Sequence, residues 1–215
     1  TRAFWTSKSE TTIAMYKEYL KTTSNLKGVE ISQFGPFIKN KKGELELSKN
    51  KYARDEEQPV FAVDWDAAVG FCEWLNSLSD DIRPDGYVFR LPTEAEWTYC
   101  AMSDEKLPTE DQKLMDIAWY SKNSSSTSHK VCELKPNSLG LYDMYGNVWE
   151  WCADAYVPSF FEKQSGVVTN RVCTKISEKR VVKGGSWDFS KSVLSPFEMK
   201  GFYRDAKQNA IGFRV

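Results

Sequence analysis

The stretch PNSLGLYDMYGNVWEW, Pro136 to Trp151, sets two acids in a run that is otherwise aromatic and apolar. Gly140 and Gly146 let the backbone turn tightly at two points. Asp143 and Glu150 cannot be buried among so many rings without partners. Two kinds of partner suit them. Oxygen ligands spread over eight residues, with backbone carbonyls between, suit a hard cation such as Ca²⁺. Backbone N–H groups or an arginine would satisfy the same carboxylates.

Upstream of this stretch the apolar residues follow a helical period. TTIAMYKEYL (11–20) places Ile13, Tyr16 and Leu20 on one stripe, with Thr11 or Thr12 as N-cap. DWDAAVGFCEWLNSL (64–78) places Ala67, Phe71, Trp74, Leu75 and Leu78 on another, with Asp64 as the cap. In LPTEAEW (91–97), Thr93 and Glu96 have capping-box spacing, and Trp97, Cys100 and Ala101 form the apolar face that follows. Past residue 115 the period fades into short segments broken by Asn, Ser, Pro and Gly. NSSSTS (123–128) reads as a solvated loop around a surface His129, and segment 28–58 as a polar surface insertion. EKQSGVVTN (162–170) and KISEK (175–179) read as excursions, RVVKGG (180–185) and IGFRV (211–215) as short strands. No repeat or linker divides the chain, so one α+β domain over residues 1–215 is expected.

Composition narrows the function. The 29 Lys and Arg against 30 Asp and Glu leave a net charge of −1, which argues against nucleic acid as partner. Aromatic residues make up 14% of the chain, enough for a dense core and for a binding surface. No apolar run approaches transmembrane length. The five cysteines are odd in number and lack CxxC spacing, which weakens zinc and thioredoxin-like readings. Cys72 and Cys100 read as buried thiols on helix faces, and a Cys152–Cys173 bridge has nothing to support it.

Four blocks, in order, resemble the sulfatase-modifying-factor family, whose members include formylglycine-generating enzymes. They are SETTIAMYKEYL, PVFAVDWDAAVGFCEWLNSLS with YVFRLPTEAEWTYCA, VCELKPNSLGLYDMYGNVWEWCADAY, and RVVKGGSWDFS with IGFRV. The resemblance implies a compact variant of the C-type lectin fold, with a small antiparallel sheet, two main helices and much irregular structure. It also implies a structural calcium held by the side chains of Asp143 and Glu150 and the backbone carbonyls of Gly146 and Val148. The sugar-binding motifs of true C-type lectins are absent.

Enzymatic members carry a cysteine pair, five residues apart, just after the Gly-Gly-Ser segment. Counting from Gly184-Gly185-Ser186, those positions here are Phe189 and Leu194, and no cysteine follows Cys173. A copper–thiolate oxidase needs soft sulfur ligands. The iron-dependent branch of the family needs three histidines, and this chain has one. The resemblance therefore points to the non-enzymatic, retroelement-diversified variable proteins, with no catalytic cofactor. In these the segment from about 184 to 215 is the ligand-binding variable region. Template adenines, usually in AAC codons, mutate to any base, and NNC codons cannot encode Trp, Met, Lys, Gln or Glu. Asp188, Phe189, Ser190, Ser192, Leu194, Phe197, Phe202, Tyr203, Arg204 and Asp205 all pass that filter. Mixed aromatic and small polar residues also suit an adaptable binding surface. The resemblance implies a monomer at the bacterial cell surface, a lipoprotein anchored outside this chain, that binds a protein or other macromolecule. The alternative is a formylglycine-generating-type oxidase, or a degenerate enzyme acting as a partner domain.

Overall fold

Thr12 opens helix α1 (Ile13–Thr22) by accepting the Met15 N–H at 3.2 Å, and Ile13, Tyr16 and Leu20 are buried as the period predicts. Asp64 caps α2 (Trp65–Ser77) through the Ala67 N–H. The stripe on α2 is only partly sequestered: Ala67 and Phe71 are buried, but Leu78 lies beyond the helix and is exposed. Thr93 and Glu96 close the expected capping box on α3 (Glu94–Ala101), which buries Trp97, Cys100 and Ala101. The computed structural model that shows this describes residues 3–22, 35–48, 50–78, 84–103, 107–162 and 171–215. No described helix is long and apolar enough to cross a membrane.

The remaining elements are short. A hairpin of β1 (Phe37–Lys39) and β2 (Leu45–Leu47) follows α1. Helix α4 (Asp111–Met115) leads to β3 (Ala118–Trp119), which pairs parallel to β4 (Tyr145–Gly146). The main sheet contains β5 (Trp149–Ala155), β6 (Lys179–Lys183), β7 (Lys200–Tyr203) and β8 (Ile211–Gly212). Helix α5 (Pro158–Glu162) follows β5, and a 3₁₀ turn (Lys191–Val193) precedes β7.

The sheet order is β7-β6-β5-β8. Its first two pairings are antiparallel, but β8 runs parallel to β5, so the sheet is mixed rather than wholly antiparallel. A parallel neighbour cannot be reached by a hairpin. The chain leaves β7, crosses residues 204–210 and enters on the far side of β5. Of the expected IGFRV strand, only Ile211–Gly212 keeps ladder pairing. The rest serves as a tie: Thr11 N–H donates to the Phe213 carbonyl and Ser7 N–H to the Val215 carbonyl, joining residues 7–11 to 213–215.

Two apolar clusters lie on the sheet. One packs α1 and α2 with Trp149, Trp151, Val182 and Phe213, and the other packs α3 with Tyr145, Cys152 and Val181. Alternation along β6 sends Val182 to the first and Val181 to the second.

Three loop expectations are corrected. Segment 28–58 is not a mere surface insertion, because Phe37, Ala53 and Gln58 are buried in it; its residues 28–34 and 49 lie outside the described residues. NSSSTS is packed rather than solvated. Ser124, Thr127 and Ser128 are buried, Ser124 Oγ donates to the Trp187 carbonyl, and Gln58 Nε2 reaches the Ser128 carbonyl. His129 is no free surface residue: its ring stacks on Trp119 at 3.7 Å and Nε2 meets the Ser124 carbonyl. Polar side chains with backbone partners can be buried at little cost, and composition alone does not reveal that. Most of EKQSGVVTN, residues 163–170, lies outside the described residues. All five cysteines are free thiols, so Cys152 and Cys173 form no bridge.

Candidate functional site

The stretch 136–151 threads between the clusters and leads into β5. Asp143, Gly146 and Asn147 all take positive φ, which turns the chain sharply enough to bring both acids inside. Glu150 is fully buried and faces Arg214, also fully buried, across two short contacts, Nε–Oε2 at 2.6 Å and Nη2–Oε1 at 2.7 Å. Trp97 Nε1 donates to the same carboxylate at 2.8 Å. Asp143 accepts the Cys132 N–H at 2.8 Å. A third buried acid joins them: Glu10 accepts the Val148 N–H at 3.1 Å and the Asn147 amide at 2.8 Å.

The expected calcium ligands do not fit a calcium ion in this arrangement. Glu150 spends both oxygens on a guanidinium and an indole, and the positive charge at this point is supplied by Arg214. Among the described residues no group of three or more His, Cys, Asp or Glu side chains could hold a metal. Burial, with Asp143 and Glu150 nearby, pushes the Glu10 carboxyl well above its usual range. Burial pushes Asp143 up to about 6.

A raised carboxyl pKa fixes the sign of the pH dependence. Between about pH 4 and 6 the folded chain holds a proton on Asp143 that the unfolded chain has released. Stability from this group is present below about pH 4 and lost as pH rises through about 6; Glu10 acts in the same direction. Asp143→Asn keeps an acceptor for the Cys132 N–H and removes the charge. Its Tm is expected to exceed that of the wild type by about 3–8 °C at pH 8 and to converge with it at pH 4.5. Adding or chelating calcium at pH 8 is expected to leave the wild-type Tm unchanged, since only a ligand that binds the folded state raises it.

The expected binding segment begins at the end of β6. Gly184 and Gly185 both have positive φ, and a Cβ on Gly185 would lie 2.8 Å from Leu194 Cδ2. The chain then passes over the buried Trp187 and through the 3₁₀ turn to β7. The ten expected residues separate by burial. Asp188, Ser190, Ser192, Phe197, Tyr203, Arg204 and Asp205 are exposed, with Phe197 at 67% and Tyr203 at 54%. Phe189 and Phe202 are half-buried against the first cluster. Leu194 is buried in the second, so its expected display role is corrected to a core role.

The two positions at which the resemblance places a cysteine pair, Phe189 and Leu194, are both packed as hydrocarbon. Phe189 meets Trp149 edge-on at 5.5 Å, and Lys200 Nζ lies 3.9 Å above its ring. Below them Lys183 is fully buried, with Nζ 3.1 Å from Glu94 Oε1 and donating to the Pro196 carbonyl at 2.7 Å. Sequence reasoning missed Lys183, Glu10 and Arg214 because each is charged and fits no apolar period; only folding brings each a polar side-chain partner from over 60 residues away.

Comparison with known proteins agrees with this architecture. The family model described as sulfatase-modifying factor enzyme 1-like domain matches residues 1–215. The serine/threonine-protein kinase pkn1 of Chlamydia pneumoniae is 30% identical over 180 residues, 82% of this chain and 26% of that protein. The formylglycine-generating enzyme of Streptomyces coelicolor is 28% identical over 145 residues, 60% of this chain and 42% of that enzyme. The chain thus spans less than half the length of these curated relatives. Among solved structures, Treponema denticola variable protein 1 superposes with a TM-score of 0.66 at 23% identity, over 97% of this chain and 82% of that one. PvdO from Pseudomonas aeruginosa superposes with a TM-score of 0.73 at 22% identity, over 97% and 78%. The fold is the C-type lectin-like α+β fold of the formylglycine-generating-enzyme type. The chain's sequence matches include enzymes, and a variable protein shares its fold. The chain belongs to the sulfatase-modifying factor enzyme 1-like family.

Proposed function

We propose that this chain is a non-enzymatic ligand-binding protein whose segment 184–215 carries the binding face. The observation that carries the reading is the pair Phe189 and Leu194. Both stand where enzymatic members resemble one another in keeping cysteines, and both are packed as hydrocarbon. Seven neighbouring residues of compatible codon type remain exposed around them. The likeness to a variable protein supports the same reading. The two thiols on the helix faces do not favour oxidase chemistry. Burial pushes Cys72 up to about 12 and Cys100 up to about 11, far from the thiolate that such chemistry needs. On this reading the protein is displayed at a bacterial cell surface by an anchor outside the chain, and a retroelement varies the exposed residues.

The DNA beside the gene tests the reading. A reverse transcriptase gene and a template repeat that differs from codons 188–205 only at adenines are expected. A repeat whose differences fall on Gly184, Trp187 or other buried positions, or the lack of any repeat, would count against diversification. Protein stability supplies a second check. Replacing Asp188, Ser190, Tyr203 and Asp205 together is expected to keep a single cooperative melt, at under about 0.5 kcal/mol per site. Leu194→Ala, in the core, is expected to cost about 3 kcal/mol in denaturant unfolding.

A further inference from the structure

We infer that Arg180, laid flat on Trp65 beside Arg204, is a carboxylate receptor at the edge of the binding face, and that the ligand presents an acidic peptide segment to it. This rests on the reading of segment 184–215 as the binding face. Arg180 lies on β6, directly across from Phe202 on β7. Its guanidinium carbon sits 4.2 Å over the Trp65 ring. The ring is held in place from both ends: the indole N–H donates to the Cys152 carbonyl at 2.8 Å, and the Trp65 backbone N–H donates to the Arg204 carbonyl at 2.9 Å. Arg204 approaches the same ring at 5.4 Å.

The two guanidiniums differ in one respect. Arg204 is committed to Asp66, which it grips through both Nε and Nη2. The Arg180 side chain makes no ion pair or hydrogen bond among the described residues, and its Nε is buried without a partner. Burial, and the charge of Arg204 nearby, push its pKa down. The acids that face it are spent: Asp66 on Arg204, and Asp154 on the N–H groups of Glu94 and Cys173. Of the guanidinium nitrogens only Nε is closed off, so the two Nη groups, which have no acceptor among the described residues, are left to take a carboxylate end-on.

The chemistry selects the ligand. A planar guanidinium fork held at fixed orientation on an indole matches a planar carboxylate in two parallel bonds. Lys200 extends the same sheet face: it stands two residues before Phe202, and its amine lies 3.9 Å over Phe189 and 5.3 Å over Trp149, in no ion pair among the described residues. Spaced cations with aromatic surface between them suit acidic side chains spaced along a peptide. Trp65 and Arg180 lie outside segment 184–215. They would be constant anchors, while Phe202, Tyr203 and Arg204 set the surroundings.

Fluorescence anisotropy of a labelled hexaglutamate peptide, titrated with the full chain at low salt, tests this. The wild type is expected to bind, and Arg180→Gln to weaken binding tenfold or more with an unchanged Tm. Arg180→Lys keeps charge and stem but loses the fork, and a loss of similar size is expected. Unchanged affinity in Arg180→Gln, wild-type affinity in Arg180→Lys, or no binding of the peptide at all overturns the receptor. So does an oligothymidylate of equal charge that binds as tightly as the peptide, because plain electrostatics would then suffice. Tyr203→Ser and Phe197→Ser separate the two readings: if they leave peptide affinity intact while Arg180→Gln abolishes it, the receptor stands and the binding role of segment 184–215 falls.

Discussion

Gly146→Ala is expected to cost about 4 kcal/mol or more, enough to empty the folded state of a protein of ordinary stability. Gly146 takes a φ of +80°, which an L side chain adopts only under strain. Space is the larger obstacle. A Cβ here would fall on the Trp119 carbonyl oxygen, well inside contact distance, and 2.8 Å from the carbonyl carbon. Neither atom can withdraw. The Trp119 oxygen accepts the Asn147 N–H at 2.8 Å, and Gly146 donates to the Gly184 carbonyl at 2.9 Å. Backbone is pinned against backbone, so the pairing of β3 with β4 must break to admit one methyl group. Denaturant unfolding measures the loss. As a control, Gly140→Ala, which also has positive φ but no atom within 4 Å, is expected to cost only about 1 kcal/mol.

Those two glycines show what sequence reading reaches in this molecule. Both announce a turn, but only folding brings Trp119 against one of them. The helices are legible because their signals are local. Thr93 and Glu96 sit three residues apart, and Ile13, Tyr16 and Leu20 return on one face every turn. The β-rich half is not legible in that way. Its strands have two to seven residues, too short for alternation to register, and resemblance rather than period supplied that part of the fold. Exposure within segment 184–215 is the hardest feature to read from sequence. Phe197 and Leu194 are three residues apart and equally apolar, yet one is 67% exposed and the other buried. What separates them is the 3₁₀ turn at Lys191–Val193, which drops Leu194 against Gly185. Arg180 went unnoticed for the opposite reason. An arginine beside two valines reads as the solvent end of a strand, and its significance comes from Trp65, 115 residues earlier.

Arg214→Met is expected to destabilise the chain by about 3–5 kcal/mol at pH 7, because it strands a buried carboxylate. Arg214 and Glu150 are both about 1% exposed and meet through two charge-assisted hydrogen bonds. Burial disfavours the charged guanidinium, but Glu150 more than offsets it and holds the Arg214 pKa above its ordinary value. The arginine does more than pair. Its Nη2 donates to the Tyr142 carbonyl at 2.9 Å, and its charge also holds down Glu10 and Asp143, which would otherwise stand further above their usual range. Without it, three carboxylates share one dry site. The variant should therefore recover part of its stability at pH 5, where those groups take up protons, and the gap to the wild type should widen toward pH 8. A double variant decides between lost charge balance and lost packing. Glu150→Gln still presents an oxygen to the Trp97 indole but carries no charge. If charge balance governs, Arg214→Met with Glu150→Gln is expected to be more stable than Arg214→Met alone, by a coupling of about 1–3 kcal/mol. If packing of the long buried side chain governs instead, the two losses should simply add. Glu150 pairs with Lys183 across the sheet and Arg214 follows β8, so the pair ties the sheet's last strand to β5 beside the point where segment 184–215 begins.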